Sequence, residues 1–278
     1  MIYSSSPKKM PLGWFLLAPF AVLWGNRSLY FRLVSRDVSL RYKGSVLGLM
    51  WSMINPLALL AVFSFVFGVV MRARWGGGGG QNFSLIIYSG LVLFIFLSDV
   101  ITKAPLLVIQ NANYVKKVVF PLEILPSVVT GGSLVNLILA LLILLLGQLL
   151  TTGDLSWTWI FVPIVIAPFA LLGLGFVYFL SSLGVYLRDI AQITGIAVMV
   201  LMYMSPILYP VDMVPAQYRD WLFINPLTFP VNELREVTLY GHLPDWAGLG
   251  LYSLVAYVTA VVGFWWFWRT KNGFADVL

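Results

Sequence analysis

Six apolar runs, each almost free of charge, punctuate the chain at approximately Val46 to Met71, Leu85 to Ile109, Leu125 to Leu150, Ile160 to Val185, Ala191 to Tyr209 and Leu249 to Trp268. A bilayer core about 30 Å thick is crossed by about 20 helical residues, and backbone in lipid must satisfy its own hydrogen bonds. The runs therefore predict an all-α integral membrane protein with six transmembrane helices. Composition points the same way: 60% hydrophobic and 10% charged residues, with a mean hydropathy of +0.91, leave too little polar surface for a water-soluble globule. Within the second run, Asp99 and Lys103 stand four residues apart. That spacing lets them pair on one helical face near a membrane boundary.

Several chemistries drop out early. The chain has no cysteine and one histidine, His242, which leaves no thiolate or histidine cluster to hold a metal and no plausible catalytic triad. No catalytic residue is expected. The net charge of +6 is the pattern of basic loops facing the cytoplasm and its anionic lipids, so nucleic acid is not an expected partner. With the N-terminus placed inside, all but four of the 17 Lys and Arg residues fall on the cytoplasmic side. The four are Arg72, Arg74, Arg219 and Arg235, and both termini are then cytoplasmic.

Two regions follow: residues 1–45 as a cytoplasmic and interfacial segment, and residues 46–278 as a six-span transmembrane domain. The opening "KKMPLGWFLLAPFAVLWG" imitates a signal peptide, but no small-x-small cleavage site follows and two prolines interrupt it. An interfacial anchor fits better. Next, "NRSLYFRLVSRDVSLRYKGS" spaces its arginines against Leu29, Leu33, Val34 and Val38 in the manner of a basic amphipathic helix on the membrane surface. The outside stretch "RARWGGGGGQN" reads as a flexible connection. It is no phosphate loop, since the chain contains no Gly-Lys dipeptide. The segment "DWLFINPLTFPVNELREVTLYG" is too apolar for a solvated loop and too interrupted for a span. Two short re-entrant helices broken at Pro226 and Pro230 account for both properties.

A charged island, "NANYVKKVVFPLEILP" (Asn111 to Pro126), lies in the cytoplasm between spans two and three. By composition it is either an ordinary turn with positive-inside lysines or a small element presented to a soluble partner. Together with "RDVSLRYKGSVLGLMWSMINPL" (Arg36 to Leu57), "YLRDIAQI" with "MSPILYPVDMVP" (Tyr186 to Ile193 and Met204 to Pro215) and "NPLTFPVNELREVTLYG" (Asn225 to Gly241), the island resembles the permease subunits of ABC-2 type polysaccharide exporters. These are the transporters of O-antigens, capsules and teichoic acids. The resemblance implies a homodimer in the bacterial cytoplasmic (inner) membrane, with a part in lipopolysaccharide assembly where the cargo is O-antigen. Two cytoplasmic ATPase subunits would bind the ATP and magnesium, leaving this chain without a cofactor of its own. It also implies that the island docks on the ATPase. Tyr114, Lys116, Lys117, Val118 and Phe120 would form the coupling surface, with Arg188 and Asp189 as structural or ATPase-facing neighbours.

Such cargo is a long glycan on a lipid carrier. Cations at the membrane surface suit its phosphates, and Arg36, Arg41 and Lys43 stand where the surface helix turns into span one. Aromatic faces suit its sugar rings. The family builds its pore from spans one and five, which makes Trp51, Phe67, Tyr203 and Tyr209 the candidate lining. Arg235 near Glu233 and Glu236 reads as an ion pair closing an outer gate. Two rivals come from other classes. A membrane-embedded lipid-linked glycan transferase would need clustered carboxylates, and the 11 acidic residues are dispersed. An ATP-independent ion-coupled flippase would rest on Asp99.

Overall fold

A computed structural model describes residues 12–43, 48–70, 83–116 and 120–278. Everything regular among the described residues is helical. The helices are α1 (Leu12–Gly25), α2 (Arg27–Tyr42), α3 (Trp51–Phe63), α4 (Phe83–Lys103), α5 (Ile124–Thr152), α6 (Val162–Tyr186), α7 (Ile190–Tyr203), α8 (Ala216–Leu222), α9 (Thr228–Arg235) and α10 (Trp246–Thr270). Four helical stretches are long and apolar enough to cross a membrane: Phe83–Gln110, Ile124–Thr152, Trp157–Tyr186 and Trp246–Val277. They coincide with the second, third, fourth and sixth apolar runs.

The first and fifth runs are shorter than expected as α-helix. α3 changes to π-helical geometry over Ser64–Val70, and α7 stops at Tyr203 before a turn that carries Pro206. Pro206 has no N–H for the hydrogen-bond ladder, and α7 ends short of it. The segment expected to form two re-entrant helices holds only the last three residues of α8, which starts upstream at Ala216, and the whole of α9, parted by residues 223–227 around Pro226. Pro230 does not break anything. It occupies the first turn of α9, where its missing N–H has no partner to lose.

The N-terminal helix packs on the bundle: the Tyr257 hydroxyl, midway along α10, donates to the Leu16 carbonyl at 2.8 Å, and Ala18 is fully buried. α1 therefore stands beside α10. α2 uses the apolar positions read from its sequence, with Val34 buried against Ile124 and Val128 of α5, and Leu29, Leu33 and Val38 beside them.

The central core gathers α4, α5, α6 and α9 around Leu91, Leu97, Phe96, Phe169 and Val231. α6 and α10 pack backbone to backbone. A Cβ on Gly175 would lie 2.7 Å from the Thr259 carbonyl oxygen, and one on Gly263 would overlap the Gly175 carbonyl. Tyr178, Phe264 and Phe267 close the contact below, with the Tyr178 ring centroid 5.2 and 5.7 Å from the other two. Helices in lipid gain attraction through such close approach at small residues. Gly263→Val is accordingly expected to cost about 3 kcal/mol of stability by overpacking. Gly250→Val on the same helix meets nothing within 4 Å and is expected to change little. Melting of the two detergent-solubilised variants checks the contrast.

Candidate functional site

The most elaborate polar cluster among the described residues forms where α2 rests on α5. Gly131 and Gly132 make the seat: a Cβ on Gly131 would lie 2.9 Å from Val34 Cγ2 and overlap the Tyr30 hydroxyl, and one on Gly132 would lie 2.8 Å from Arg41 Nη2. This closeness lets α2 reach past α5 to α4. Arg41 Nη2 lies 2.8 Å from Asp37 Oδ2, and Arg41 Nη1 lies 2.9 Å from Asp99 Oδ2. Lys103 Nζ is 2.6 Å from Asp99 Oδ1, and Ser133 Oγ donates to Asp99 Oδ2 at 2.5 Å. The i,i+4 pair expected from the sequence is present, enlarged into two cations and two carboxylates. Burial alone would lower the Arg41 pKa; the carboxylates of Asp99 and Asp37 outweigh it and leave it raised.

Asp99 is thus tied to three elements at once. Asp99→Asn keeps the shape and removes the charge, leaving Arg41 and Lys103 facing one another. It is expected to lower the melting temperature while leaving the cargo moved per ATP unchanged in vesicles. Loss of transport with ATP hydrolysis intact would instead make Asp99 an ion-coupling group.

The charged island joins the same end of the bundle. Tyr114 and Phe120 stack with centroids 4.3 Å apart and planes at 16°, and both pack against the core. Arg36 Nη1 donates to the Tyr114 hydroxyl at 3.0 Å, so α2 holds the island directly. Lys116 is exposed. Lys117 and Val118 lie outside the described residues. Downstream, Glu123 pairs with Lys271 beyond α10, and the buried Tyr178 hydroxyl donates to the Glu123 carbonyl at 2.9 Å. Arg188 and Asp189 sit exposed in the turn between α6 and α7.

Of the three candidate phosphate ligands, Arg41 is engaged by carboxylates, while Arg36 and Lys43 are exposed. Trp51 lines a cavity beside Asp99. Tyr203 is exposed, and its carbonyl accepts from the Tyr209 hydroxyl at 2.9 Å. The Phe67 side chain lies outside the described part.

At the opposite end, the expected ion pair between Arg235 and its glutamate neighbours is replaced by another arrangement. Arg235 donates to the carbonyls of Pro206 at 2.6 Å, Ile86 at 3.1 Å and Ile207 at 3.2 Å. Glu233 instead accepts from the Asp245 N–H at 3.0 Å, and Glu236 pairs with His242 at 2.6 Å. The guanidinium points across the bundle toward α4, whereas both carboxylates turn toward the 241–245 loop.

Sequence reasoning missed Asp37, Ser133, Tyr178 and the Glu123–Lys271 pair. The run "TGGS" at Thr130 to Ser133, two adjacent glycines inside an apolar helix, was the available sign that another element presses close there.

Four long apolar helices, with a basic helix seated across the polar end of the bundle, are the architecture of a multi-pass membrane protein. The chain belongs to the ABC-2 type transporter family, whose sequence model it matches over residues 28–239. It is 28% identical to the O-antigen export system permease protein RfbA of Klebsiella pneumoniae over 248 residues, which cover 88% of this chain and 93% of that one. The protein of the same name in Myxococcus xanthus is 27% identical over 226 residues, 80% of this chain and 85% of that one. The polysialic acid transport protein KpsM of Escherichia coli is 23% identical over 239 residues, 83% of this chain and 89% of that one.

Proposed function

We propose that this chain is the transmembrane subunit of an ATP-driven exporter, and that it moves a lipid-linked polysaccharide such as O-antigen outward across the bacterial cytoplasmic membrane. Two copies pair, and each docks a separate ATPase subunit that binds and hydrolyses ATP. The α2 end of the bundle faces the cytoplasm, together with both termini, and α8 and α9 dip into the outer leaflet. The observation that carries this reading is the physical link from the island to the bundle: Arg36 bonds Tyr114, and α2 is bound through Arg41 and Asp99 to α4 and α5. A push on the island by a soluble motor is thereby delivered to two long helices. Arg36 and Lys43 remain available to cargo phosphates at the same surface.

The ion-coupled alternative loses ground for a physical reason. A carboxylate that carries ions must exchange partners, and Asp99 is held by two cations and a hydroxyl. The test is reconstitution of the purified chain in vesicles with and without its ATPase subunit. Hydrolysis only in the complex and glycan movement only with ATP are expected. Cargo movement without any ATPase would reject the reading.

A further inference from the structure

On the flank of the bundle, between α1, α5 and α6, runs a groove of about 440 Å³. Its α6 wall extends from Ala167 to Leu174, about 10 Å of helix axis and so about two thirds of one leaflet. Ala167 and Ala170 leave the space, and Phe20, Leu23 and Leu171 enclose it. α2 crosses its head, where Tyr30 lies against Gly131. We infer that this groove is a phospholipid site, which takes one acyl chain of an anionic phospholipid from the leaflet that α2 rests on and holds the headgroup phosphate at Arg27. The site requires only that the bundle stands in a membrane, whatever cargo it moves.

The groove suits hydrocarbon because the hydroxyls on its wall are already used inside the protein. Ser127 Oγ and the Tyr178 hydroxyl are bonded at 3.0 Å, Thr130 Oγ1 donates to the Pro126 carbonyl at 3.0 Å, and Ser253 Oγ donates to the Leu249 carbonyl at 2.7 Å. A bound water needs several polar partners, and this wall offers it few. The mouth also opens toward lipid. Phe20 is exposed, as are its α1 neighbours Leu16, Leu17 and Trp24.

Charge decides which end of the lipid lies where. From Leu12 to Arg36 the chain carries Arg27, Arg32 and Arg36 and no acidic residue. Arg27 is exposed at the corner where α1 passes into α2, one turn before Tyr30. Its Nη1 donates to the Trp24 carbonyl at 3.3 Å, and the guanidinium carbon is 5.7 Å from the Trp24 ring centroid. The rest of the fork meets no carboxylate among the described residues and can take two phosphate oxygens. The Tyr30 hydroxyl makes no hydrogen bond among the described residues, and it supplies a donor for the ester carbonyls that lie just below a phospholipid phosphate. A cation, then a hydroxyl, then an apolar slot is the order of groups along an anionic phospholipid read backwards.

Other occupants fit less well. The isoprenoid carrier of a cargo would have to reach α3 and α7, the helices expected to line the pore, and neither contributes to the groove. The start of the chain, "MIYSSSPKK", would set serines and lysines against an apolar wall.

The test uses the full-length chain in nanodiscs of phosphatidylcholine doped with phosphatidylglycerol that carries a diazirine midway along one tail. After illumination, labelled residues are located by mass spectrometry. Label is expected over residues 130–134 and 167–174 at about five times the level on Ile138, Leu142 and Leu146, exposed residues of α5 that meet bulk lipid. Unlabelled phosphatidylglycerol should displace the probe at about one fifth of the concentration that phosphatidylcholine needs. Arg27→Gln, a change on an exposed residue, should make the two competitors equal while the label stays in place. Ala167→Trp, also at an exposed position, should fill the slot and remove the groove label, with the melting temperature of both variants checked against the parent. Even label across the groove and Ile138, Leu142 and Leu146 would reduce the groove to ordinary lipid contact. Equal competition in the parent, or competition unchanged by Arg27→Gln, would remove the phosphate from Arg27. Stronger displacement by a polyisoprenyl phosphate would make this a carrier site, and an unlabelled groove in the parent would mean that protein covers it. Each of these four results overturns the inference.

Discussion

Arg235→Leu is expected to remove most of the folded protein from the membrane fraction. The guanidinium is 3% exposed and sits where α4, α9 and the turn after α7 converge. Its acceptors differ in what they lose. The Ile86 carbonyl also accepts from Ser89 Oγ at 2.8 Å within α4. The Pro206 and Ile207 carbonyls belong to a turn outside any helical ladder, and Arg235 donates to both at 2.6 and 3.2 Å. Leucine fills the volume and leaves those two oxygens unsatisfied in a bundle surrounded by lipid. Each orphaned buried carbonyl costs about 1–3 kcal/mol, so the pair costs about 4 kcal/mol, a large share of the stability of an ordinary fold. Gly90 permits the approach, since a Cβ there would lie 3.2 Å from Arg235 Nη2. Arg235→Lys keeps the charge but not the fork of donors and should fall between the two. The measurement is the monodisperse fraction after detergent extraction. A leucine variant that elutes like the parent would show that other groups hold the turn.

How far the molecule could be read in advance depended on whether a feature is local. Hydropathy is local, which is why the second, third, fourth and sixth runs coincide with long helices. The Asp99–Lys103 pair needs only helical spacing and was equally legible. The first and fifth runs are apolar enough, but their backbones change course at Ser64 and after Tyr203, and a sliding sum of hydrophobicity is blind to that. Pro230 misled because the effect of a proline depends on its position in the helix, which composition does not supply.

The site was legible in its parts and not in its connections. Arg36, Arg41 and Tyr114 all stood out by charge or motif. Only the fold shows that Arg41 turns inward to Asp99 while Arg36 turns to Tyr114. Residues on one helix can separate in this way because one faces the α5 seat and the other its rim. Arg235 repeats the lesson. Sequence neighbours at 233 and 236 looked like partners, but successive helical residues point about 100° apart, and the guanidinium found carbonyls 28 to 149 positions away instead.

The double substitution Lys116→Glu, Lys117→Glu is expected to cut cargo export at least about tenfold while ATP hydrolysis by the complex persists. The expectation follows from where the island is held. Its aromatic pair, Tyr114 on Phe120, is anchored to the bundle from behind by Arg36, which leaves the Lys116 side pointing away from the fold. On the proposed reading the island meets the ATPase subunit, and reversing the two lysine charges changes that interaction from attraction to repulsion by several kcal/mol. The motor then turns over without delivering its movement. Tyr114→Phe separates docking from delivery, because it keeps the ring stack and removes the hydroxyl that receives Arg36. That variant should still copurify with the ATPase subunit and yet move less cargo per ATP. Normal export by the double lysine variant would return the island to the status of a basic turn. Loss of the ATPase from the Tyr114→Phe complex would show that the Arg36 bond shapes the docking surface rather than transmitting through it.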